Sequence, residues 1–285
     1  MADDISNRGP VPVIEAGGEE RRLGLLQPSP GYEDDAPLLT ATPGFRTWTR
    51  QEIEDFIRNK PYGSRRTIFT PDWMQDQKKH GSCNACAAAY VQRKGQYLRG
   101  RLDTPMLNWE FLYAQINGGR DNGSLLKDGM EAVESIGIPI LDSSRHRIGA
   151  DRIFKNQFTP EEYAAAQLNR TTKSYAINDE LTLATAVLSG FCAVVAVHVG
   201  SSFSRIDRKG FAGADPGAGN HSIHVDDVVI VDGVLGFDHQ GSWGVNIHDQ
   251  GRALLSWDRH LKNTNRYHKF WIAVSTNDGD DPLTK

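Results

Sequence analysis

The stretch DQKKHGSCNACAAA, residues 76–89, decides how the rest of the chain is interpreted. Gln77 stands six residues before Cys83, which follows a Gly-Ser pair and opens a run of small residues. This order predicts a tight turn and then a helix that begins at Cys83. The N-terminus of a helix carries partial positive charge, which favours a thiolate over a thiol. The Gln77 amide can donate to the oxyanion that forms when such a thiolate attacks a carbonyl.

Composition narrows the function classes. The chain has 285 residues, 39% of them hydrophobic and 24% charged, which is typical of a globular protein with one large domain or two small ones. A net charge of -4 argues against a nucleic-acid partner. No run of about 18 apolar residues is present to cross a membrane, and the acidic N-terminus lacks the apolar region of a secretory signal. We therefore expect a cytoplasmic or virion-associated protein.

The chain divides into an N-terminal arm and one domain. Residues 1–45 are rich in Pro, Gly and acids, which predicts a flexible arm, and residues 46–285 form the domain. Helical patterns come first, beginning at a capping box over Thr49–Glu52, at Cys83, near Asn108, at Ser124 and at Asp179. Apolar strands follow at 191–199, 225–231 and 270–274. This segregated order predicts an α+β fold.

A thiol nucleophile needs a base, and nine histidines are available. His221 stands out because it follows a Gly- and Pro-rich loop, residues 213–219, and enters a predicted strand. His224 lies three residues further on. Because side chains alternate along a strand, His221 and His224 point to opposite faces, and only one of them can face Cys83.

Together these segments resemble the papain-like (family C1) cysteine peptidases. The family's nucleophile segment is Gln, five residues, then Cys-x-Ala, which Gln77 and Cys83-Asn84-Ala85 match. The other segments follow in the family's order, with Asp121-Asn122-Gly123 at the glycine-rich edge, His221-Ser222-Ile223 for His-Ala-Val, and Gly241-Ser242-Trp243-Gly244 for Asn-Ser-Trp-Gly.

The resemblance implies a two-lobed α+β fold, with a helical lobe at about 68–175 and a β-rich lobe at about 176–275. It implies that Cys83 is the nucleophile, His221 its base, and Gln77 an oxyanion donor. Trp243 would cover the histidine, and the edge at Asn122 and Gly123 would bind the substrate backbone. The implied substrate is a peptide or protein, with no cofactor and no metal.

Three departures from the family pattern bear on catalysis. Gly241 stands where the family has the asparagine that orients the histidine, so Asp238, His239 and Gln240 are candidate substitutes. Asn84 replaces the bulky aromatic residue after the nucleophile. About 65 residues precede the motif instead of a long inhibitory propeptide. Either the arm regulates the enzyme or its activity is controlled by context.

Several alternatives stay open at this level. Cys86 is the rival nucleophile, and Cys83 and Cys86 form a Cys-x-x-Cys pair with redox or zinc-binding potential. Asp226 and Asp227 are candidate calcium ligands. The chain is either a peptidase, a papain-fold structural or binding protein with a weakened site, or an acyltransferase or deamidase that uses the same Cys-His pair. The sequence does not predict the oligomeric state.

Overall fold

The computed structural model describes residues 11–60, 75–98, 103–141, 152–171 and 173–274. It has an α+β fold in which helices pack against one antiparallel sheet. The helices are α1 (Arg50–Asn59), α2 (Cys83–Leu98), α3 (Trp109–Ile116), α4 (Leu126–Ser135), α5 (Pro160–Gln167) and α6 (Glu180–Leu188). The strands are β1 (Val13–Ala16), β2 (Glu19–Arg22), β3 (Lys173–Ile177), β4 (Ala193–Val197), β5 (His221–Val231), β6 (Val234–Gln240), β7 (Arg252–Ser256) and β8 (Phe270–Val274).

Side-chain caps start several helices where the sequence predicts them. Thr49 and Glu52 form the capping box of α1, Asn108 accepts from the Phe111 N–H, and Asp179 accepts from the Thr182 N–H. Ser124 is an exception. It does not cap α4, which begins at Leu126, because the main chain of Ser124 is extended and pairs with the N-terminal region.

Helix α2 is the centre of the molecule. It runs to Leu98 rather than to the predicted end near Arg93. The alanines at 85 and 87–89 are almost fully buried, because β5 and β4, together with α3 and α4, surround the helix. Small side chains let these neighbours approach closely, so the run of small residues after Cys83 has a packing role.

The sheet has the strand order β3-β8-β4-β5-β6-β7, and every pair in it is antiparallel. Strand β8 has the predicted bounds, and β5 begins at His221, the predicted strand entrance, four residues before the apolar run 225–231. Because His221 pairs with Val197 of β4, it is the first residue of β5 and is held by the sheet. Strands β3, β6 and β7 were not predicted, since their short segments mix polar and apolar residues.

The N-terminal region corrects the expectation of a flexible arm. Residues 11–45, called the arm below, pack on the domain, beginning with the β1–β2 hairpin that turns at Gly17 and Gly18. Leu23, Leu25 and Leu39 are buried, and apolar burial of this kind offsets the entropy of ordering the segment. Residues 1–10 of the predicted arm, and residues 68–74 of the predicted helical lobe, lie outside the described residues.

Within the described residues, no helix is both long enough and apolar enough to span a membrane.

Candidate active site

Cys83 is the first residue of α2, and its side chain is fully buried. Burial raises the pKa of the thiol to about 11, against the smaller lowering effect of the main-chain N–H groups of Ser222 and Gly24, which face the sulfur. The thiol is therefore protonated at neutral pH. The helix N-terminus alone favours a thiolate, but desolvation by the surrounding chain is the larger effect here.

Strand β5 carries His221 to the region of Cys83. The main-chain N–H of the next residue, Ser222, faces the Cys83 sulfur. The imidazole is fully buried and packs on Trp243 with ring centroids 4.4 Å apart. Burial lowers the pKa of His221 to about 3, so the ring is neutral. Neither ring nitrogen has a hydrogen-bond partner among the described residues. The structure thus holds a neutral thiol and a neutral imidazole in one buried region.

His224, the rival base, faces the other way. Its ring stacks on Tyr90 of α2 at a centroid distance of 3.4 Å, and the Tyr90 hydroxyl donates to Asp226. His224 thus packs on Tyr90 of α2, whereas His221 packs on Trp243.

Gln77 is held by both ends of its side chain. Its Oε1 accepts from the Ser242 hydroxyl at 2.6 Å and from the Trp243 indole N–H at 3.2 Å. These bonds fix which way the amide points. Its Nε2 donates to the carbonyl oxygens of His80 at 2.7 Å and Arg22 at 2.9 Å. The Arg22 carbonyl of the arm thus accepts a hydrogen bond from the amide group that the sequence predicts to bind an oxyanion.

The arm then continues across Cys83. The Ser124 N–H donates to the Gly24 carbonyl at 2.9 Å, and the Leu26 N–H donates to the Ser124 carbonyl at 3.1 Å. On the other side, the Leu25 N–H donates to the Asn220 carbonyl at 3.1 Å. Residues 22–26 therefore lie as an extended segment between the edge at 123–124 and the start of β5, and they fill the cleft above Cys83.

Two glycines allow this close approach. A Cβ on Gly24 would lie 1.9 Å from the Gly81 carbonyl oxygen, and one on Gly123 would lie 2.2 Å from the Gly24 carbonyl oxygen. Gly123 also has a φ of +86°. The edge at 121–124 is tied to the Cys83 turn because the Asp121 carboxylate accepts from the Gly81 N–H at 2.9 Å and the Tyr113 hydroxyl at 2.8 Å.

The predicted edge residues lie here, although the main-chain pairing falls one residue later than expected. Asn122 is half-buried in the same turn as Gly123, and Ser124 makes both hydrogen bonds to the arm. Sequence reasoning missed Ser124 and Asn220 because they act through backbone atoms, which carry no residue signature. The Gly24 between leucines was the available signal, because a glycine in an apolar segment can mark close backbone approach.

No described side chain takes the place of the missing asparagine on His221. Asp238 pairs with Arg252 at 3.1 Å, the His239 ring faces Phe203 and His248, and Gln240 interacts with His224. At Gly241 itself, a Cβ would meet no atom within 4 Å. The candidate substitutes are thus engaged elsewhere, and the space beside Gly241 is open.

The geometry argues against Cys86 as the nucleophile and against the predicted alternatives of zinc and calcium binding. Cys86 is free, buried one turn inside α2, and burial raises its pKa well above the ordinary range. The described residues contain no group of three or more His, Cys, Asp or Glu that could hold a metal ion. Asp226 and Asp227 are not available for calcium, because they pair with Arg252 and Lys60.

Comparison with solved structures finds papain-like cysteine proteases. Xylellain, a cysteine protease from Xylella fastidiosa, aligns with a TM-score of 0.64 at 17% identity, over 89% of this chain and 96% of that one. Bromelain from Ananas comosus, in complex with the E64 inhibitor, aligns with a TM-score of 0.58 at 16% identity, over 72% and 97%. Procathepsin L 3 from Tenebrio molitor larval midgut aligns with a TM-score of 0.56 at 16% identity, over 79% and 78%.

These likenesses establish the class of fold, which is the papain-like, two-lobed α+β fold. No family model matches the sequence, and no curated protein does. At identities of 14–17%, the resemblance concerns the fold, and the chemistry must be argued from the residues of this chain.

Proposed function

We propose that the protein is a cysteine peptidase whose cleft is filled by its own arm in this state. The observation that carries the proposal is the Gln77 amide, which holds the Arg22 carbonyl oxygen while Gly24 covers the Cys83 sulfur. An extended peptide backbone therefore already fits between the amide donor and the edge at Ser124. A substrate backbone that replaced the arm would meet the same donors.

The reaction follows from the residues at this place. With the arm displaced, His221 takes the Cys83 thiol proton as the sulfur attacks the substrate carbonyl carbon. A C–S bond forms, and the Gln77 amide and the Cys83 N–H stabilise the oxyanion. The C–N bond then breaks, and His221 passes its proton to the departing amine. Water, deprotonated by His221, hydrolyses the thioester and restores the thiol.

The same geometry would protect the arm from cleavage. The main chain of Gly24 approaches the Cys83 sulfur through its N–H group. The thiol is protonated because it is buried, and His221 is neutral for the same reason. Displacement of the arm would return water to the cleft, which lowers the thiol pKa and raises that of the imidazole, so that an ion pair becomes accessible.

Labelling of Cys83 tests this proposal. In the full chain, Gly24→Ala forces a Cβ against the Gly81 carbonyl and should displace the arm. We expect iodoacetamide or E-64 to modify Cys83 at least about tenfold faster at neutral pH in Gly24→Ala than in the unaltered chain, since 1.4 kcal/mol of arm destabilisation suffices for that factor. Peptide mapping by mass spectrometry identifies the modified cysteine.

A matched control separates arm release from general destabilisation. Gly213→Ala places a Cβ 2.1 Å from the Ser202 carbonyl, a clash of similar size in a different loop. It should leave the labelling rate of Cys83 near that of the unaltered chain. If Cys83 in Gly24→Ala reacts as slowly as an inert buried thiol, the result favours the alternative function, a papain-fold structural or binding protein with a weakened site. The glycine at position 241 also favours that alternative.

A further inference from the structure

Arg21 of the arm occupies a site beside the nucleophile. Arg21 is 2% exposed, and its guanidinium pairs with the Asp76 carboxylate. It also donates to the Trp243 carbonyl at 3.2 Å and to the Lys78 carbonyl at 3.4 Å. One carboxylate and two carbonyl oxygens of the domain thus converge on one cation, and the geometry suits the planar, multi-donor guanidinium better than a lysine ammonium.

The acceptors of this site belong to the domain and not to the arm. Segments 75–77 and 242–244 are paired by the Gln77 N–H to the Ser242 carbonyl at 2.8 Å and the Gly244 N–H to the Gln75 carbonyl at 3.2 Å. Asp76 is further fixed by the Lys78 N–H at 2.8 Å and the Lys78 ammonium at 2.8 Å. The same pairing holds the Gln77 side chain, so the site stays in place when the arm leaves.

The site lies within reach of a substrate at the nucleophile. Arg21 precedes the residue whose carbonyl binds Gln77, and it is three residues from Gly24 at the Cys83 sulfur. Three extended residues span about 10 Å. If the arm were displaced, Asp76 would stay partly desolvated, and Lys78 would be its remaining cation. The carbonyls of Lys78 and Trp243 would lose their donor. Both changes favour the binding of a new guanidinium group.

We propose that Asp76 and the carbonyls of Lys78 and Trp243 form a specificity site for an arginine of the substrate, placed within about three residues of the scissile bond. In this state Arg21 occupies the site as a stand-in for that arginine. The proposal rests on the proposed peptidase function, because it names the substrate class of the same cleft. Peptides with arginine at one fixed position should be preferred over those with alanine or lysine there.

Binding, measured without catalysis, tests the proposal independently of peptidase activity. The protein is the full chain carrying Arg21→Ala, Gly24→Ala and Cys83→Ala, which empties the site and removes the nucleophile. Isothermal titration uses blocked decapeptides of Ala, Gly and Leu in which one position at a time is Arg, Lys or Ala. We expect one position where Arg binds about tenfold more tightly than Ala, which is the usual size of a charge-assisted hydrogen-bond contribution.

Two further variants make the outcome decisive. Asp76→Asn in the same background should reduce the Arg-to-Ala affinity ratio to below about twofold. Glu19→Gln is the matched control, because Glu19 also pairs with Arg21, at 3.0 Å, but belongs to the arm and leaves with it. Its ratio should stay unchanged. The proposal is overturned if no position prefers arginine, or if the preference survives Asp76→Asn. Peptide hydrolysis by the Cys83 protein decides the peptidase function separately.

Discussion

At the residue scale, the proposed active site contains a thiol, an imidazole and an amide donor, and it lacks a group that orients the imidazole. Cys83, Gln77 and Trp243 are each fixed by neighbours on two sides, whereas the His221 imidazole packs on Trp243 and has no hydrogen-bond partner among the described residues. An unoriented imidazole samples the wrong tautomer and the wrong rotation, and in serine proteases this kind of loss slows catalysis without moving the nucleophile.

Gly241→Asn should raise the activity. A Cβ at this position meets no atom within 4 Å, and the register that pairs Gln240 with His224 continues toward Trp243 beside His221. The new amide should accept from the imidazole and raise kcat for peptide hydrolysis by about tenfold or more in the Gly24→Ala background. Gly241→Ala adds the Cβ without the amide and is the control. Equal kcat values in the two variants would show that orientation does not limit this site.

The sequence predicts the side-chain chemistry of the candidate site, because the spacing of Gln77 to Cys83 and the position of His221 after a glycine-rich loop depend on side chains of a defined type. The position of the arm in the cleft could not be predicted in this way. Its hold on the cleft comes from carbonyls and N–H groups of Arg22, Gly24 and Ser124, which any residue supplies.

At the element scale, α2 and β5 place the proposed nucleophile and the proposed base, and the arm is a third element that fills the cleft. Capping residues and apolar runs predicted most helix starts and β8, because local interactions decide them. The whole of β6 and β7, in contrast, depends on pairing with distant strands. Tertiary pairing decides whether these segments form strands, and the pattern of a single sequence does not contain that information.

The arm is also attached at a second place, where its Glu33 accepts from the Lys269 N–H at 2.6 Å. Burial raises the pKa of Glu33 from 4.5 to about 7. The folded state therefore favours the protonated acid. This contribution is fully present below the unfolded pKa near 4.5, and it is lost as the pH rises through 7.

Glu33→Gln should flatten this part of the pH dependence. Between pH 4.5 and 7 the unaltered chain should lose on the order of 3 kcal/mol of unfolding free energy relative to Glu33→Gln, since one pKa unit corresponds to about 1.4 kcal/mol. Urea unfolding at several pH values measures the difference. Glu15→Gln, at an exposed position of the same arm, is the control and should follow the unaltered chain. Parallel curves for all three proteins would contradict the role assigned to Glu33.

At the scale of the whole molecule, the chain combines a papain-like fold with a cleft that its N-terminal region fills. The helical side supplies Cys83, the sheet supplies His221, and the paired segments 75–77 and 242–244 join the two next to the nucleophile. The arm contacts all three at once through Gly24, Leu25 and Arg21. A single displacement would therefore expose the proposed nucleophile, oxyanion donor and arginine site together.

The most direct test is peptide hydrolysis by Gly24→Ala in the full chain, compared with the same protein carrying Cys83→Ala or Cys86→Ala. A fluorogenic peptide library is the substrate, and the unaltered chain gives the arm-bound rate. The account predicts hydrolysis by Gly24→Ala that is retained with Cys86→Ala and falls at least about a thousandfold with Cys83→Ala, the scale expected when a nucleophile is removed. Hydrolysis that survives Cys83→Ala would contradict it.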